Sequence, residues 1–70
     1  NPNSVTDAAV GILCARAACI GAFMNMQINC ASLTDKEFVK DIIAKGQAIV
    51  DRAKENEKEF TARVLKQISE

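Results

Sequence analysis

The chain has 70 residues, of which nine are Lys or Arg, nine are Asp or Glu, and none is histidine. A chain of this length forms one small domain, here 1–70, and its balanced charge argues against a nucleic-acid-binding protein, which needs a basic excess. The absence of histidine excludes Ser-His and Cys-His catalysis and a mixed Cys/His zinc site. We therefore predict no enzymatic activity, no catalytic residue, no metal site and no cofactor.

The N-terminal half predicts an apolar helix over about 5–28. Residues 1–34 carry only two charged side chains, Asp7 and Arg16, and the stretch 8–24 is almost entirely apolar. Apolar residues surround the helix axis instead of lining one side, which is typical of a helix buried in protein or in lipid. Because this stretch falls below the roughly 20 residues that cross a bilayer, the sequence favours a buried core helix. For Arg16 we expect a carboxylate partner, from Asp7 or from the second helix, or a position at the surface.

Small residues recur along this helix at spacings of three and four. Such spacing lines the small side chains up along one ridge, where two helix backbones can approach closely. The sequence therefore predicts tight helix packing at two sets of positions: Gly11, Ala15, Ala18 and Ala22, and separately Ala17 and Gly21.

The C-terminal half predicts an amphipathic helix over about 35–69, after a turn at 29–32. Thr34 and Glu37 have the spacing of a capping box, with Leu33 and Phe38 as the hydrophobic staple around it. Apolar residues then recur at steps of four and seven, while charged residues fill the other face. The polar run 54–59 interrupts the apolar pattern, so the helix is either continuous, with a bend near 54–57, or broken there; we favour continuity. Gly46 lies within the helix and indicates either a bend or a close neighbour.

Three cysteines, Cys14, Cys19 and Cys30, are the disulfide candidates. In one continuous helix Cys14 and Cys30 would lie about 24 Å apart, so an intrachain bond to Cys30 requires the chain to fold back between 20 and 29. Gly21 or Asn25 is the candidate position for that break. Without a break, any disulfide must join two chains, and the odd number leaves at least one thiol free or paired with another chain. Three buried, reduced thiols are the alternative.

The fold class that these patterns predict is all-α, either a helical hairpin or a small helix bundle. A hairpin covers only one side of each helix, so the apolar first helix needs a further partner. Pairing with itself or with a related chain, in a homodimeric four-helix bundle that disulfides also link, is the simplest solution. One alternative is a compact monomer of three or four short helices, in which one disulfide folds the N-terminal half over the other. Another is an apolar small molecule, a lipid or a membrane. We predict that the apolar interface or cavity is formed by Ile12, Leu13, Ile20, Phe23, Met24, Phe38, Ile42 and Ile49.

Three functions are compatible with these features. The leading hypothesis is a secreted, non-enzymatic helical binding protein with a shared apolar core or a lipophilic cavity, because the short chain carries an odd number of cysteines and its charge lies in one half. The second is a membrane-active venom or defence polypeptide that inserts its first helix, although such helices usually carry Lys and Arg. The third is a cytosolic helical adaptor whose thiols are reduced.

Overall fold

The protein is an antiparallel helical hairpin. The computed structural model describes residues 2–69, and the side chains of residues 6–69. Helix α1 spans Pro2–Cys30 and helix α2 spans Lys36–Ser69, and no strand occurs among the described residues. The two helices pack along their length in a rod whose Cα atoms extend over 54 Å. The predicted all-α hairpin is therefore confirmed.

The turn between the helices lies at residues 31–35, two to three residues later than the sequence predicts. Helix α1 continues through Cys30, and its last carbonyls are used in the turn: the Ala31 amide donates to Ile28 O (3.3 Å) and the Leu33 amide to Cys30 O (3.0 Å). The Ser32 hydroxyl also donates to Asn29 O at 3.0 Å. These bonds satisfy carbonyls that have no intrahelical partner at a helix C-terminus.

The N-cap of α2 is Asp35, not Thr34 as the sequence predicts. The Phe38 amide donates to Asp35 Oδ1 at 3.0 Å, and the Val39 amide donates to Asp35 O at 3.1 Å. A carboxylate at this position also interacts favourably with the positive end of the helix dipole, which explains why it replaces the hydroxyl. The shift of the cap to Asp35 moves the two staple positions to Thr34 and Val39, and the predicted staple residues Leu33 and Phe38 are both exposed.

Neither helix is broken. Helix α1 passes through Gly21 and Asn25 without interruption, so the fold-back that the sequence left open does not occur. Helix α2 passes through 54–57, as favoured from the sequence, because no residue in that run stops a helix. The hairpin is therefore two long, uninterrupted rods.

A seam of residues spaced alternately by three and four joins the rods. This spacing repeats every seven residues and keeps one stripe of each helix facing the other, as in a coiled coil. All seam residues are buried or half-buried, and Cys30, Val50 and Val64 are the most buried. On α1 the seam consists of Ala9, Ile12, Arg16, Cys19, Phe23, Met26 and Cys30; on α2 it consists of Val39, Ile43, Gly46, Val50, Ala53, Glu57, Phe60 and Val64.

Two contacts fix the alignment of the helices. Near the turn, Gly46 lies against the side chains of Phe23 and Met26, and a Cβ built on the glycine would come within 2.8 Å of both. Further along, Arg16 Nε forms an ion pair with Glu57 Oε2, and both of these atoms are shielded from solvent. Gly46 therefore marks a close approach, one of its two predicted roles, and the partner of Arg16 comes from the second helix.

Within one hairpin, helix α1 is not the buried core helix that the sequence favours. Only the seam side is covered by α2, and most other residues of α1 are exposed. The predicted tight packing at small residues also does not involve α2 at Gly11 or Gly21, where an added Cβ would meet nothing within 4 Å. The second helix is a single rod, so it shields one side of α1 and leaves the rest uncovered.

Candidate functional site

A large apolar face of α1 points away from α2. Four bulky side chains on α1 are strongly exposed: Val10 at 59%, Leu13 at 43%, Met24 at 56% and Ile28 at 70%. Smaller exposed residues, including Cys14, Ala17 and Gly21, lie between them. We call the set Val10, Leu13, Cys14, Ala17, Gly21, Met24 and Ile28 the outer face. Residues 10 and 28 are separated by about 27 Å along the helix, so the face extends over five turns.

The outer face carries no charged side chain. In the sequence of α1 the charges are Asp7, which precedes the face, and Arg16, which lies in the seam beside Glu57. Because the Arg16 guanidinium is paired with α2, it does not solvate the opposite side of its own helix. The face is therefore apolar without interruption from Val10 to Ile28.

Helix α2 also exposes apolar side chains, but in a different setting. Phe38, Ile49, Leu65 and Ile68 are between 52% and 62% exposed. Charged residues surround them on the same helix, and exposed i,i+4 pairs such as Lys45–Asp41 (3.0 Å) and Arg63–Glu59 (3.1 Å) occupy its surface. Isolated exposed apolar residues are normal on soluble proteins, whereas a continuous face is typical of an interaction site.

Two shallow clefts lie between the helices along one flank of the hairpin. The first, of about 210 Å³, is almost entirely apolar and is lined by Cys19, Ala22, Phe23, Met26, Gly46, Ile49 and Val50. The second, of about 220 Å³, has a mixed lining of Ile12, Asn56, Glu59, Phe60 and Arg63. Both are open to solvent, so neither of these two clefts is an enclosed lipophilic cavity, which stays a prediction.

The predicted interface residues divide into two groups. Half of them are half-buried and lie on the side of their helix that faces the other helix: Ile12, Ile20, Phe23 and Ile42. The other half are exposed: Leu13 and Met24 on the outer face, and Phe38 and Ile49 on α2. Of the eight, Phe23 and Ile49 meet at the apolar cleft.

Val10 and Ile28 are not among the predicted interface residues, although they are the two most exposed large apolar side chains of α1 in the range 6–30. A signal was present: residues 10, 14, 17, 21, 24 and 28 have the same alternating spacing of four and three as the seam. A helix with two such stripes has two packing faces. These faces cannot be told apart when the helix is treated as apolar on all sides.

The three cysteines are free thiols in the structure. Cys14 is exposed on the outer face, Cys19 is half-buried and Cys30 is buried. Because all three lie on one unbroken helix, Cys14 and Cys30 are about 24 Å apart along the axis, too far for a bond within the chain. The intrachain disulfide to Cys30 is therefore excluded, and a bond between chains stays a prediction.

Helix α1 also has the dimensions of a membrane-spanning helix. The segment Thr6–Cys30 is long and apolar enough to cross a bilayer by length and composition, which corrects the shorter stretch counted from the sequence. Its most apolar window has no buried residue in the hairpin. Among residues 2–69 no group of three or more Cys, Asp or Glu side chains is placed to hold a metal ion.

One comparison with known proteins identifies a family. Residues 1–48 match the family described as Formiminotransferase-cyclodeaminase, a stretch that contains α1, the turn and the first part of α2. No curated protein and no solved structure matches the chain significantly. Since the matched residues make up more than half of its length, the chain belongs to the formiminotransferase-cyclodeaminase family.

Proposed function

We propose that this chain is a non-catalytic helical association module, which binds another helical chain through the outer face of α1. The partner is a second copy or a related chain, and the product is a four-helix arrangement with the two α1 helices at its centre. The observation that carries the proposal is the exposed, uncharged outer face, with Ile28 at 70% and Val10 at 59% exposure. Covering such a face removes apolar surface from water, which is the main favourable term in protein association.

The ion pair of Arg16 with Glu57 supports this choice over insertion into a membrane. This ion pair holds α2 beside α1. Insertion of α1 alone would therefore separate Arg16 from Glu57 and place Arg16 in the bilayer. The length and composition of Thr6–Cys30 nevertheless make membrane binding the second candidate function. Sedimentation with uncharged and anionic liposomes distinguishes the two: an association module stays in the supernatant, and a membrane-active helix sediments with the vesicles.

The association test compares two matched substitutions. Ile28→Glu introduces a charge into the outer face, and Leu65→Glu introduces the same charge at a similarly exposed apolar position of α2. By light scattering after gel filtration, the unchanged chain should have at least twice the 7.6 kDa of one chain. Ile28→Glu should be monomeric, because a carboxylate would lie unpaired in the interface, and Leu65→Glu should remain associated. A monomeric unchanged chain would contradict the proposal.

Secretion from the cell and the lack of catalysis are also part of the proposal, and each has its own test. The exposed Cys14 is the thiol most accessible to a partner or an oxidant. A reduction-sensitive dimer in native material would support the secreted protein, and three titratable thiols would support the cytosolic adaptor. The family description names an enzyme, so formimino transfer and cyclodeaminase activity of the purified chain should be assayed. We expect neither; turnover would overturn the non-catalytic assignment.

A further inference from the structure

The outer face contains a stripe that reads the same in both directions. Its residues are Val10, Cys14, Ala17, Gly21, Met24 and Ile28. The spacing between them is four, three, four, three and four, which is unchanged on reversal. The types of side chain correspond as well: β-branched residues stand at the two ends, sulfur-containing residues come next, and the smallest residues occupy the centre, with Leu13 of the outer face lying beside the stripe.

A stripe with this symmetry is complementary to an inverted copy of itself. When two such helices pair head to tail about residue 19, Val10 meets Ile28, Cys14 meets Met24, and Ala17 meets Gly21 of the second copy. Each layer then pairs residues of the same kind: the two β-branched residues, the two sulfur-containing residues, or the two small residues. The resulting contact has twofold symmetry, as the interfaces of most homodimers do.

We infer that two copies of this chain pair antiparallel through this stripe, with Ala17 of each copy against Gly21 of the other. The inference rests on the proposed function, since it specifies how the association module binds its partner. In the resulting four-helix arrangement the two α1 helices lie in the middle and each α2 helix lies on the outside.

The centre of the stripe is suited to close contact. Gly21 faces open space in the hairpin, and an added Cβ would meet nothing within 4 Å. Ala17 and Gly21 are four residues apart, the spacing at which small residues allow two helix backbones to approach closely. The larger residues toward each end fill the space where two crossing helices diverge, by equal amounts at both ends.

A parallel pair fits the same stripe less well. It would bring Gly21 against Gly21, but Met24 against Met24 and Ile28 against Ile28, so the bulk would lie at one end and the helices would splay apart there. It would also align the two helix dipoles, whereas antiparallel dipoles attract. The absence of charged side chains from the stripe means that no repulsion opposes either orientation.

Disulfide trapping separates the two orientations, because Cys14 belongs to the stripe. In the antiparallel pair the Cys14 residues of two copies are about 15 Å apart along the axis, beyond the reach of a disulfide. The substitution Met24→Cys places a thiol opposite Cys14 of the second copy. After mild oxidation and peptide mapping, we expect dimers of this variant to be linked between positions 14 and 24. Asn25→Cys, one residue further along and outside the stripe, is the control and should give no such link.

Each outcome decides the inference. A bond between two Cys14 residues in the associated, unsubstituted chain would overturn the antiparallel pairing and leave the association module intact. Associated chains in which Met24→Cys forms no link to position 14 would show that the stripe is not the interface, which also overturns it. A chain that is monomeric at all concentrations contradicts the proposed function itself, so the two failures are distinguishable.

A second variant tests the close contact without cysteine chemistry. Gly21→Leu adds a side chain at the centre of the stripe and should weaken dimerisation about tenfold or more, because overpacking a tight contact is unfavourable. Gly11→Leu is the matched control, since Gly11 also faces open space but lies outside the stripe. Circular dichroism should show that both variants remain helical. Equal dimer dissociation constants for the two variants would contradict the inference.

Discussion

The two helices of the hairpin differ in how many of their sides are apolar. Helix α2 places mostly apolar residues in the seam and surrounds its exposed apolar residues with charged ones, so one neighbour is enough to make it stable in water. Helix α1 presents apolar residues on the seam and again on the outer face, where Met24 and Ile28 are more than half exposed. The comparison teaches that a helix with two apolar stripes needs two partners, and that the hairpin supplies one of them.

The largest expected effect comes from placing the same charge on the two kinds of surface. Val50 lies in the seam and is 4% exposed, whereas Val10 lies on the outer face. Val50→Asp would bury an unpaired carboxylate at a cost of several kcal/mol, comparable to the roughly 3–5 kcal/mol that the core of so small a domain supplies. We expect this variant to be largely unfolded by circular dichroism at 25 °C.

Val10→Asp is the control for that substitution. Its carboxylate remains in water, so the free energy of unfolding of the single hairpin should change by about 0.5 kcal/mol or less, while association should weaken. Urea unfolding at two protein concentrations separates these effects. If Val10→Asp unfolded the hairpin as completely as Val50→Asp, the distinction between the two surfaces would be wrong.

A smaller effect is expected from the ion pair that joins the helices. Glu57→Gln leaves the Arg16 guanidinium, on a side chain that is 38% exposed, without its anionic partner. The loss should be about 1–2 kcal/mol, between the values for exposed and for buried pairs, because solvent still reaches part of the Arg16 side chain. Urea unfolding measures it, and a double variant with Met at both positions should recover much of the loss.

The matched control for Glu57 is two residues away on the same helix. Glu59 pairs with Arg63 at 3.1 Å, but both side chains are more than 60% exposed. Glu59→Gln should therefore change the free energy of unfolding by only a few tenths of a kcal/mol. Equal losses for the two variants would show that the Arg16–Glu57 pair does not hold the helices together.

The sequence predicts the elements of this fold better than the faces of its helices. Both helices and their connection follow from local signals, such as the apolar run after Asp7 and the capping residues near Asp35. The sequence predicts Phe38 and Ile49 as cavity or interface residues because they are bulky, whereas the α2 residues that pack against α1 in the seam include Gly46 and Glu57. Which residues face the neighbour depends on Phe23 and Arg16 of the other helix, and no local pattern in α2 contains that information.

The last prediction concerns Gly46, which lies against the side chains of Phe23 and Met26 on the other helix. Alanine there gains about 1 kcal/mol in helix propensity, but its Cβ would overlap the Phe23 ring, and overpacking costs about 1–3 kcal/mol. We therefore expect Gly46→Ala to lower the free energy of unfolding by about 1 kcal/mol. At Gly11 the same substitution meets open space and should raise stability by up to about 1 kcal/mol. Opposite signs in parallel thermal melts would locate the close approach at Gly46, and equal gains at both glycines would show that the Phe23 ring moves aside freely.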